Sequence, residues 1–464
     1  MVRFYIDTRG CPKNTVDSEA LQAVLQAAGH APVNSPAAAD VLIVNTCGFI
    51  DVAKQESIDR LLELGQQKRP GQRLIAAGCL SQRYPEEVAA DIPEVDFMTG
   101  IDAWRTLPAA LEQLGTTQTA QLDDVSVPAV PSGSLLRFPA TLPVLNQWPE
   151  LPRKGTGPTA YIKISEGCNY GCTFCAIPVM KGLYRSKPLS RILQEAKELA
   201  SRGVKEVVLV SQDSTAYGLD MRNGTSLITL LSALAEEVPS LLWVRVLYFH
   251  PDRLTHQFID QIAAIPTFCP YVDLPLQHVH PDILRRMRRG HLIERTEEHI
   301  AHFREVLPHA AIRTTFIVGF PGERRAEFEF LLEWTQRRRF DRLGVFCYSL
   351  EEGTSSAEMA DQVPLVTREH RRKKLLAIQE KISLEIQQRL IGTTLDVLIE
   401  GSDDQSRPRY SKHASQDGWS VGRSTRDAPE VDGIVLVRGR QRIGSIVPVR
   451  IHEATAYDLI GEVL

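Results

Sequence analysis

Residues 166–175 read Glu-Gly-Cys-Asn-Tyr-Gly-Cys-Thr-Phe-Cys and follow directly after an apolar run. The three cysteines are Cys168, Cys172 and Cys175, so a single loop carries three thiols. Such a loop can bind three corners of a cubane iron–sulfur cluster, whereas a four-cysteine zinc site would need a second pair of ligands nearby. Because a cubane has four irons, three thiolates leave one iron open to a small molecule. The spacing therefore predicts a reactive [4Fe–4S] cluster, with Phe174 packing apolar surface beside its open face.

A strand–helix rhythm surrounds this loop and continues along the chain. Six apolar runs are strand candidates: Tyr161–Ser165, Glu206–Ser211, Leu242–Phe249, Tyr271–Leu276, Ile312–Gly319 and Leu343–Tyr348. Parallel strands alternating with helices form barrels whose functional loops lie at the C-terminal strand ends. We therefore expect residues 159–388 to form a partial (β/α)6 barrel with a long charged helix, starting at Arg368, behind it. The cysteine loop would lie at the catalytic end of this barrel.

Residues 1–115 show the pattern of a doubly wound α/β domain. Buried parallel strands are predicted at Phe4–Ile6, Val41–Val44 and Leu74–Ala77, and crossover helices at Ser18–Ala28 and Ile50–Leu64. A cysteine with a glycine beside it follows each strand: Cys11 with Gly10, Cys47 with Gly48, and Cys79 with Gly78. Since the C-terminal ends of such strands meet at one edge, the three cysteines are expected to converge on a second cluster. Three ordinary core cysteines are the alternative.

Two further segments complete the chain. Residues 116–158 contain seven prolines, which disfavour regular structure and predict a linker or irregular connector. Residues 389–464 are rich in Gly, Asp and Ser turns between short strand candidates, which predicts a small β-barrel. The strand candidates there include Leu395–Ile399, Gly433–Val437 and Ile446–Ile451.

Composition narrows the class of protein. The formal charge of −4 argues against a chain held on nucleic acid by bulk charge. No apolar run approaches the ~20 residues that span a bilayer, and Arg3, Asp7 and Arg9 interrupt any signal peptide. We therefore expect a cytoplasmic protein with no membrane partner, in which the eight cysteines are ligands or core residues. Cys269 has no partner signal, and Cys347 is expected in the core.

Together these features resemble the radical S-adenosylmethionine (SAM) methylthiotransferase family. The resemblance covers nearly the whole chain: an N-terminal methylthiotransferase domain with three cysteines, a radical SAM barrel and a TRAM-like β-barrel. It implies two 4Fe–4S clusters, one of which binds and cleaves SAM, while the auxiliary cluster on Cys11, Cys47 and Cys79 carries the sulfur to be transferred. It also implies a monomer supplied with electrons by a donor such as flavodoxin or ferredoxin.

The resemblance also suggests where SAM is held. The SAM-binding candidates at the ends of the barrel strands are Ser211, Gln212, Gln277, Gly319 and Gly322. The glycines belong to a Gly-Phe-Pro-Gly turn, whose backbone could approach the adenosine. His278 is a weak candidate beside them.

Two branches of the family compete. RimO-like enzymes methylthiolate the β-carbon of an aspartate in the small-subunit ribosomal protein S-twelve, and MiaB-like enzymes methylthiolate an adenosine beside the tRNA anticodon. Four runs resemble the RimO-like branch: GCPKNTVDSE (10–19), LVSQDSTAYGLD (209–220), YVDLPLQH (271–278) and DAPEVDG (427–433). These runs favour the ribosomal protein, or the small ribosomal subunit, as the partner.

Charge gives an independent argument about the substrate. From Arg389 to Leu464 the chain has ten Lys and Arg against eleven Asp and Glu, a net charge of −1. A domain that grips tRNA phosphates should be clearly basic, whereas a near-neutral one can meet a basic ribosomal protein. The basic runs 285–289 and 371–374 are read as solvated helix faces, with RNA contact as the alternative. A non-catalytic, cluster-bearing RNA-binding protein also stays open.

Overall fold

The computed structural model describes residues 1–101, 107–111, 148, 153, 157–290, 292–403 and 418–464. Most of the predicted 116–158 linker lies outside these residues. The chain divides into two compact units. Unit 1 comprises Met1–Lys154, Glu166–Asn169 and Ala176–Tyr184, and unit 2 comprises Gly155–Ser165, Tyr170–Cys175 and Arg185–Leu464. The predicted boundaries 1–115, 116–158, 159–388 and 389–464 are finer than this division and stay a prediction.

Unit 1 contains a five-stranded parallel sheet in the order β2-β1-β3-β4-β5. The strands are β1 (Arg3–Thr8), β2 (Ala31–Pro32), β3 (Val41–Thr46), β4 (Arg73–Gly78) and β5 (Phe97–Met98). Alternate residues of one strand enter different cores, with Leu42 and Val44 on one face of the sheet and Val41 and Ile43 on the other. Burial on both faces explains the continuous apolar runs, and the doubly wound prediction is confirmed.

The helices of unit 1 lie at Pro12–Ala27, Asp51–Gln66, Cys79–Arg83, Pro85–Asp91 and Ile177–Lys181. The first begins six residues before the predicted Ser18, because Pro12 can occupy the first turn, where a backbone N–H has no partner. Cys11 is consequently the residue that caps this helix. The two-residue strands β2 and β5 were absent from the prediction because they are too short to give a pattern.

Unit 2 begins with six parallel strands in two three-stranded sheets, ordered β6-β9-β10 and β11-β12-β13. They are β6 (Thr159–Lys163), β9 (Glu206–Val210), β10 (Trp243–Val246), β11 (Tyr271–Asp273), β12 (Ala311–Val318) and β13 (Arg342–Cys347). Short strands β7 (Ser165–Glu166) and β8 (Arg185–Ser186) lie between β6 and β9 along the chain. An isolated bridge between Val244 and Phe268 lies where the two sheets meet. The partial (β/α)6 barrel is confirmed.

Helices surround these strands at Leu189–Ser201, Leu227–Glu237, His256–Ala263, Pro281–Arg286, Ile293–Val306, Arg325–Arg338 and Leu365–Gln388. Leu193, Leu230 and Phe303 face the strands and join one large apolar core. The long helix Leu365–Gln388 lies against β13 and is held there by Gln379, whose Nε2 donates to the carbonyl oxygen of Phe340 at 2.8 Å. Among the described residues, none of the helices has the length and apolar character needed to cross a bilayer.

A closed five-stranded barrel completes unit 2, in the order β14-β15-β16-β18-β17. Its strands are β14 (Thr394–Asp403), β15 (Trp419–Ser424), β16 (Val435–Arg438), β17 (Ile446–Ala454) and β18 (Leu459–Val463). Val397, Val437 and Val449, on three different strands, point inward and pack together in its core. The predicted C-terminal β-barrel is confirmed.

Candidate functional site

The cysteines of unit 1 lie at the C-terminal edge of its sheet. Cys11 follows β1, Cys47 follows β3 and Cys79 follows β4. The strand order 2-1-3-4-5 reverses direction between β1 and β3, and open α/β sheets bind their ligands at such a switch point. The topology therefore brings two of the three cysteines to the position where a ligand is expected, with the third on the neighbouring strand.

Glycines allow the three cysteine turns to approach one another. A Cβ atom on Gly10, whose φ is +95°, would stand 2.6 Å from Cys47 Cβ and 2.9 Å from Cys47 Sγ. A Cβ on Gly48 would stand 2.7 Å from the carbonyl oxygen of Cys79. Real Cβ atoms do not tolerate such distances, so any side chain at either position would push the turns apart. These two glycines therefore allow close packing between the turns.

Polar side chains fasten the same turns together. Asn14 Nδ2 donates to the carbonyl oxygens of Arg9 (2.8 Å) and Thr46 (3.2 Å). Asn45 Nδ2 donates in return to the carbonyl oxygen of Asn14 (3.0 Å) and to Ser18 Oγ (2.9 Å). Asn14 and Ser18 belong to the run 10–19, which resembles the RimO-like branch of the family. The structure gives these residues a physical role, because they hold the β1 and β3 turns in register.

The electrostatics of this edge fit a group that binds thiolates. Burial, together with the neighbouring Cys79 and Cys11, raises the pKa of the Cys47 thiol to about 12. Burial also raises the pKa of Cys79, against the opposing effect of Lys181. Crowded thiols of this kind lose their protons to a bound metal rather than to water. Cys11 lies at the N-terminal end of a 16-residue helix, where the first backbone N–H groups have no partner within the helix.

Across the described part of the chain, no three His, Cys, Asp or Glu side chains lie close enough together to coordinate one metal ion. A cluster on Cys11, Cys47 and Cys79 stays a prediction.

The loop after β6 contains the second cysteine triplet. Cys168 belongs to unit 1, where its backbone N–H donates to the carbonyl oxygen of Gly182 at 3.1 Å. Cys172 and Cys175 belong to unit 2, and the Cys175 N–H donates to the Cys172 carbonyl oxygen at 3.1 Å. All three are half-exposed, as ligands must be if a small molecule is to reach the metal.

Thr173 and Phe174 anchor the part of this loop that lies in unit 2. Thr173 Oγ1 donates to the carbonyl oxygen of Arg286 at 2.9 Å, and the Thr173 N–H donates to that of Met287 at 3.1 Å. Phe174 meets Phe320 edge to face, with ring centroids 6.4 Å apart. Phe174 therefore packs against the turn after β12, so it contributes apolar surface beside the cysteine loop.

Three side chains beside Cys172 form a cluster that the sequence does not predict: Arg289, His250 and Tyr170. Arg289 Nη1 lies 3.9 Å from Cys172 Sγ and 2.7 Å from His250 Nε2, and Nη2 donates to the carbonyl oxygen of Pro275 at 2.8 Å. The His250 ring stacks on Tyr170, with centroids 3.8 Å apart. Arg289 belongs to the basic run 285–289, and its side chain points to the cysteine loop, where a cation stabilises thiolates.

The predicted SAM-binding residues after β9 lie at the C-terminal end of the barrel. Ser211 is fully buried, and its Oγ is 3.0 Å from Ser214 Oγ. Gln212 Nε2 is buried without a hydrogen-bond partner among the described residues. A buried donor of this kind is a natural contact for a polar ligand.

The other SAM candidates lie on strained or glycine-dependent backbone. Gln277 adopts φ +69°, which is uncommon for a residue with a side chain, and its N–H donates to the carbonyl oxygen of Thr315 at 2.8 Å. Gly319 and Gly322 have φ of +72° and +84°. The space that a Cβ would need at Gly319 holds the Arg368 side chain, and that at Gly322 holds the Arg286 guanidinium. These glycines thus have a packing reason, and their contact with SAM stays a prediction.

His278 and Glu323 form a fully buried pair under the turn after β12. Glu323 Oε2 accepts from the Gly319 N–H at 2.6 Å and lies 3.8 Å from His278 Nε2, while Oε1 accepts from Arg371 at 2.9 Å. Burial raises the pKa of Glu323 to about 7, against the effect of Arg371. Burial lowers the pKa of His278 to about 3, so its ring is neutral. Glu323 thus fixes the turn after β12 through the Gly319 N–H.

The two remaining cysteines differ from each other. Cys269 is buried, and its Sγ lies 3.3 Å from the carbonyl oxygen of Thr425 in the C-terminal barrel. Cys347 was expected in the core but is only partly buried, because it is the last residue of β13.

The comparisons with known proteins agree with this architecture. Family models match over residues 3–100 (uncharacterized protein family UPF0004), 162–335 (Radical SAM superfamily) and 391–464 (TRAM domain). A Chloroflexus aurantiacus protein described as ribosomal protein uS12 methylthiotransferase RimO is 44% identical over 474 residues, covering 100% of both chains. A protein of the same description from Herpetosiphon aurantiacus is 41% identical over 483 residues, again covering 100% of both.

A solved structure is similar in fold. The radical S-adenosylmethionine methyltransferase TsrM from Kitasatospora setae, with cobalamin and a [4Fe–4S] cluster bound, matches with a TM-score of 0.56 at 13% identity. The match covers 85% of this chain and 81% of that chain. At this identity the likeness shows the fold alone.

The partial barrel and its cysteine loop, with the matching family model, define a radical SAM enzyme. The family brings SAM and [4Fe–4S] chemistry with it. Within this class the chain belongs to the RimO family of methylthiotransferases, since relatives of that family match it from end to end.

Proposed function

We propose that this protein attaches a methylthio group to the β-carbon of an aspartate in ribosomal protein uS12 by radical SAM chemistry. The observation that carries the proposal is full-length similarity to proteins described as uS12 methylthiotransferases, at up to 44% identity. The match covers 100% of this chain, and so includes the segments that carry both cysteine triplets. The reaction would take place in the cytoplasm, on a monomeric enzyme that receives electrons from a flavodoxin- or ferredoxin-like donor.

The proposed SAM site lies in the cysteine loop and the strand ends beside it. Cys168, Cys172 and Cys175 would hold a [4Fe–4S] cluster, which supplies the electron that cleaves SAM. Arg289 would stabilise the Cys172 thiolate from 3.9 Å, and the Phe174–Phe320 contact would keep water from the reacting atoms. Ser211, Gln212, Gln277, Gly319 and Gly322 would orient SAM from the ends of β9, β11 and β12.

The proposed second cluster lies at the switch point of unit 1. Cys11, Cys47 and Cys79 would hold it by three thiolates and leave one iron free to carry the sulfur that is transferred. Asn14 and Asn45 would keep the ligand turns at a constant separation, because their hydrogen bonds cross from one turn to the other.

The charges of the C-terminal barrel support a protein substrate over tRNA. Two of its ten basic residues are engaged within unit 2, since Arg423 pairs with Glu206 and Arg426 pairs with Asp341. They are not available to phosphates, so a module with net charge −1 has still less cationic surface to offer RNA. A basic ribosomal protein can approach such a surface without repulsion.

A competition assay tests the substrate. Reconstituted enzyme is given SAM, sulfide and a reductant together with both uS12 and tRNA, and both products are weighed by mass spectrometry. We expect a methylthio group on an aspartate of uS12 and unmodified tRNA. A methylthioadenosine with unmodified uS12 would establish the MiaB-like activity instead, and RNA binding without deoxyadenosine release would indicate a non-catalytic protein.

Iron content and SAM cleavage test the two clusters. Anaerobically reconstituted protein should hold about eight irons, and Cys168→Ala about four, on the reading of three thiolates for each cubane. Cys47→Ala should still cleave SAM but transfer no methylthio group. A wild type that never exceeds about four irons would contradict the second cluster. Loss of SAM cleavage in a folded, iron-loaded Cys47→Ala variant would contradict the division of labour.

A further inference from the structure

Lys181 is a buried cation at the cysteine edge of unit 1. It is the last residue of the helix Ile177–Lys181, which packs against the helix Cys79–Arg83. Only 3% of its side chain is exposed. Lysine is almost never buried to this extent unless a specific group pairs with its charge.

The ion pairs of Lys181 use only part of its donor capacity. Its Nζ lies 3.2 Å from Glu166 Oε1 and 3.9 Å from Asp17 Oδ2. Among the described residues, Nζ has no partner that meets the geometry of a hydrogen bond. An ammonium carries three N–H donors, so donors remain for a group beside it.

The thiols of the cysteine edge provide the rest of the environment. Burial lowers the pKa of Lys181, but the negative charges of Cys79, Glu166, Asp17 and Cys11 outweigh it and raise the pKa well above the ordinary value. Lys181 in turn lowers the pKa of Cys79 against the effect of burial. The ammonium is thus within electrostatic reach of all three proposed cluster ligands.

A second buried lysine shows what an ordinary structural pair looks like in this protein. Lys187, with a side-chain exposure of 6%, donates a hydrogen bond of 2.7 Å to Glu195 Oε1. Lys181 makes no such bond although two carboxylates flank it. The difference indicates that Lys181 is placed for a further anionic partner at the cysteine edge.

We propose that Lys181 is a positioning residue of the cluster bound by Cys11, Cys47 and Cys79, which donates hydrogen bonds to the cluster and raises its reduction potential. The inference rests on the proposed second cluster and adds a residue to it. Reduction adds negative charge, which a fixed cation beside the cluster stabilises, and hydrogen bonds to cluster sulfurs act in the same direction. Without the cation, the cluster would be harder to reduce.

The test isolates this cluster in full-length Cys168→Ala/Cys172→Ala/Cys175→Ala protein. Redox titration followed by electron paramagnetic resonance gives its midpoint potential, with iron content and circular dichroism measured on the same samples. Adding Lys181→Met should lower the equilibrium constant for reduction of the cluster at least tenfold. For one electron this lowers the midpoint potential by about 59 mV. Lys181→Arg should restore most of the potential, and the control Lys187→Met should leave it unchanged.

The outcomes separate this inference from the proposed function. A folded Lys181→Met protein that loses the cluster while Lys181→Arg keeps it would also support the role. An unchanged potential in iron-loaded Lys181→Met, or an equal loss with Lys187→Met, would overturn the inference alone. If the triple-cysteine variant with Lys181 intact binds no iron, the proposed second cluster fails and the inference with it.

Discussion

The two ends of the parallel barrel in unit 2 are built on different principles. At the N-terminal end, ion pairs join the first residues of the strands to the C-terminal barrel. At the C-terminal end lie the cysteine loop, strained backbone and polar groups still able to bind a ligand. In (β/α) barrels the C-terminal end carries chemistry and the N-terminal end carries stability. In this protein the C-terminal β-barrel covers the N-terminal end of the parallel barrel.

The N-terminal end is closed by the floor loop, Thr425–Asp432, between β15 and β16. Glu206, the first residue of β9, pairs with Arg245 at 2.7 Å and with Arg423, just before the floor loop, at 2.5 Å. Arg342, the first residue of β13, pairs with Asp427 of the loop. These side chains are almost entirely buried. The floor loop contains all but the last residue of the run 427–433, whose likeness to one branch of the family had no physical explanation in the sequence.

The C-terminal end departs from relaxed geometry. Tyr248 and Gln277, which follow β10 and β11, have positive φ of 65° and 69°. Such backbone costs about 1–3 kcal/mol for each residue and persists where the surroundings impose it, often at binding sites. The comparison teaches that one end stores strain beside the reactive loop while the other supplies ionic and packing contacts that hold the barrel.

The largest expected effect separates chemistry from stability at the C-terminal end. Cys172→Ala should abolish SAM cleavage by removing a cluster ligand. The unfolding midpoint of the cluster-free protein should barely move, because this thiol is half-exposed. Deoxyadenosine release and urea denaturation measure the two properties, and Cys347→Ala is the control. Retained cleavage would show that this end does not bind the cluster as proposed.

The next effect lies at the N-terminal end. Arg423→Met should lower the free energy of unfolding by about 3–5 kcal/mol, since it leaves the buried Glu206 short of a partner. SAM cleavage per folded molecule should be preserved. Arg325→Met, which breaks an exposed pair with Glu329 in the same unit, is the matched control and should have no measurable effect. Equal free energies of unfolding for the two variants would contradict the proposed difference between the two ends of the barrel.

The free energy of unfolding should also depend on pH through Glu323, which lies at the C-terminal end of the barrel. The folded-state pKa of Glu323, about 7, lies above its unfolded value near 4.5, so folding favours the protonated form. Its contribution to stability is therefore lost as pH rises from about 4.5 to 7, by about 3 kcal/mol. Glu323→Gln should gain that amount relative to wild type between pH 4.5 and 8 in urea denaturation.

Comparison at each pH is required for this test, because His278 titrates with the opposite sign. Its pKa of about 3 lies below the ordinary 6.5, so its contribution is lost as pH falls. A Glu323→Gln difference that stays constant with pH would show that the carboxylate is ionised throughout.

The smallest expected effect concerns Cys269, whose thiol reaches Thr425 of the floor loop. Cys269→Ala removes this contact and a small buried volume, and should cost about 1 kcal/mol. Cys347→Ala, at the partly buried end of β13, should cost less in the same urea titration. The reverse order would mean that the floor loop is not held by this contact.

The sequence was sufficient for the elements with a strong pattern. Six apolar runs predicted the six barrel strands, and a cysteine after each of three runs placed Cys11, Cys47 and Cys79 at one edge of a sheet. Both predictions depend on local periodicity and on the rule that parallel strands end at a common edge. Such information is contained in short windows of sequence.

The rest depended on pairings between distant residues. Asn14 and Asn45 are 31 positions apart, and Arg423 and Glu206 are 217 apart, so no window shows either pair. Arg371 was read as part of a solvated helix face, yet it turns inward to Glu323. Charged residues look alike in a sequence whether they face water or a buried carboxylate, and only the three-dimensional arrangement distinguishes them.

The floor loop also affects the order in which the protein can assemble during synthesis. Glu206 leaves the ribosome 217 residues before Arg423, an interval on the order of 10–40 s at ordinary translation rates. During that interval the remaining strands of the parallel barrel are synthesised, but the floor loop that covers their N-terminal ends is still missing. The ion pairs that close this end of the barrel can therefore form only after the C-terminal module has emerged.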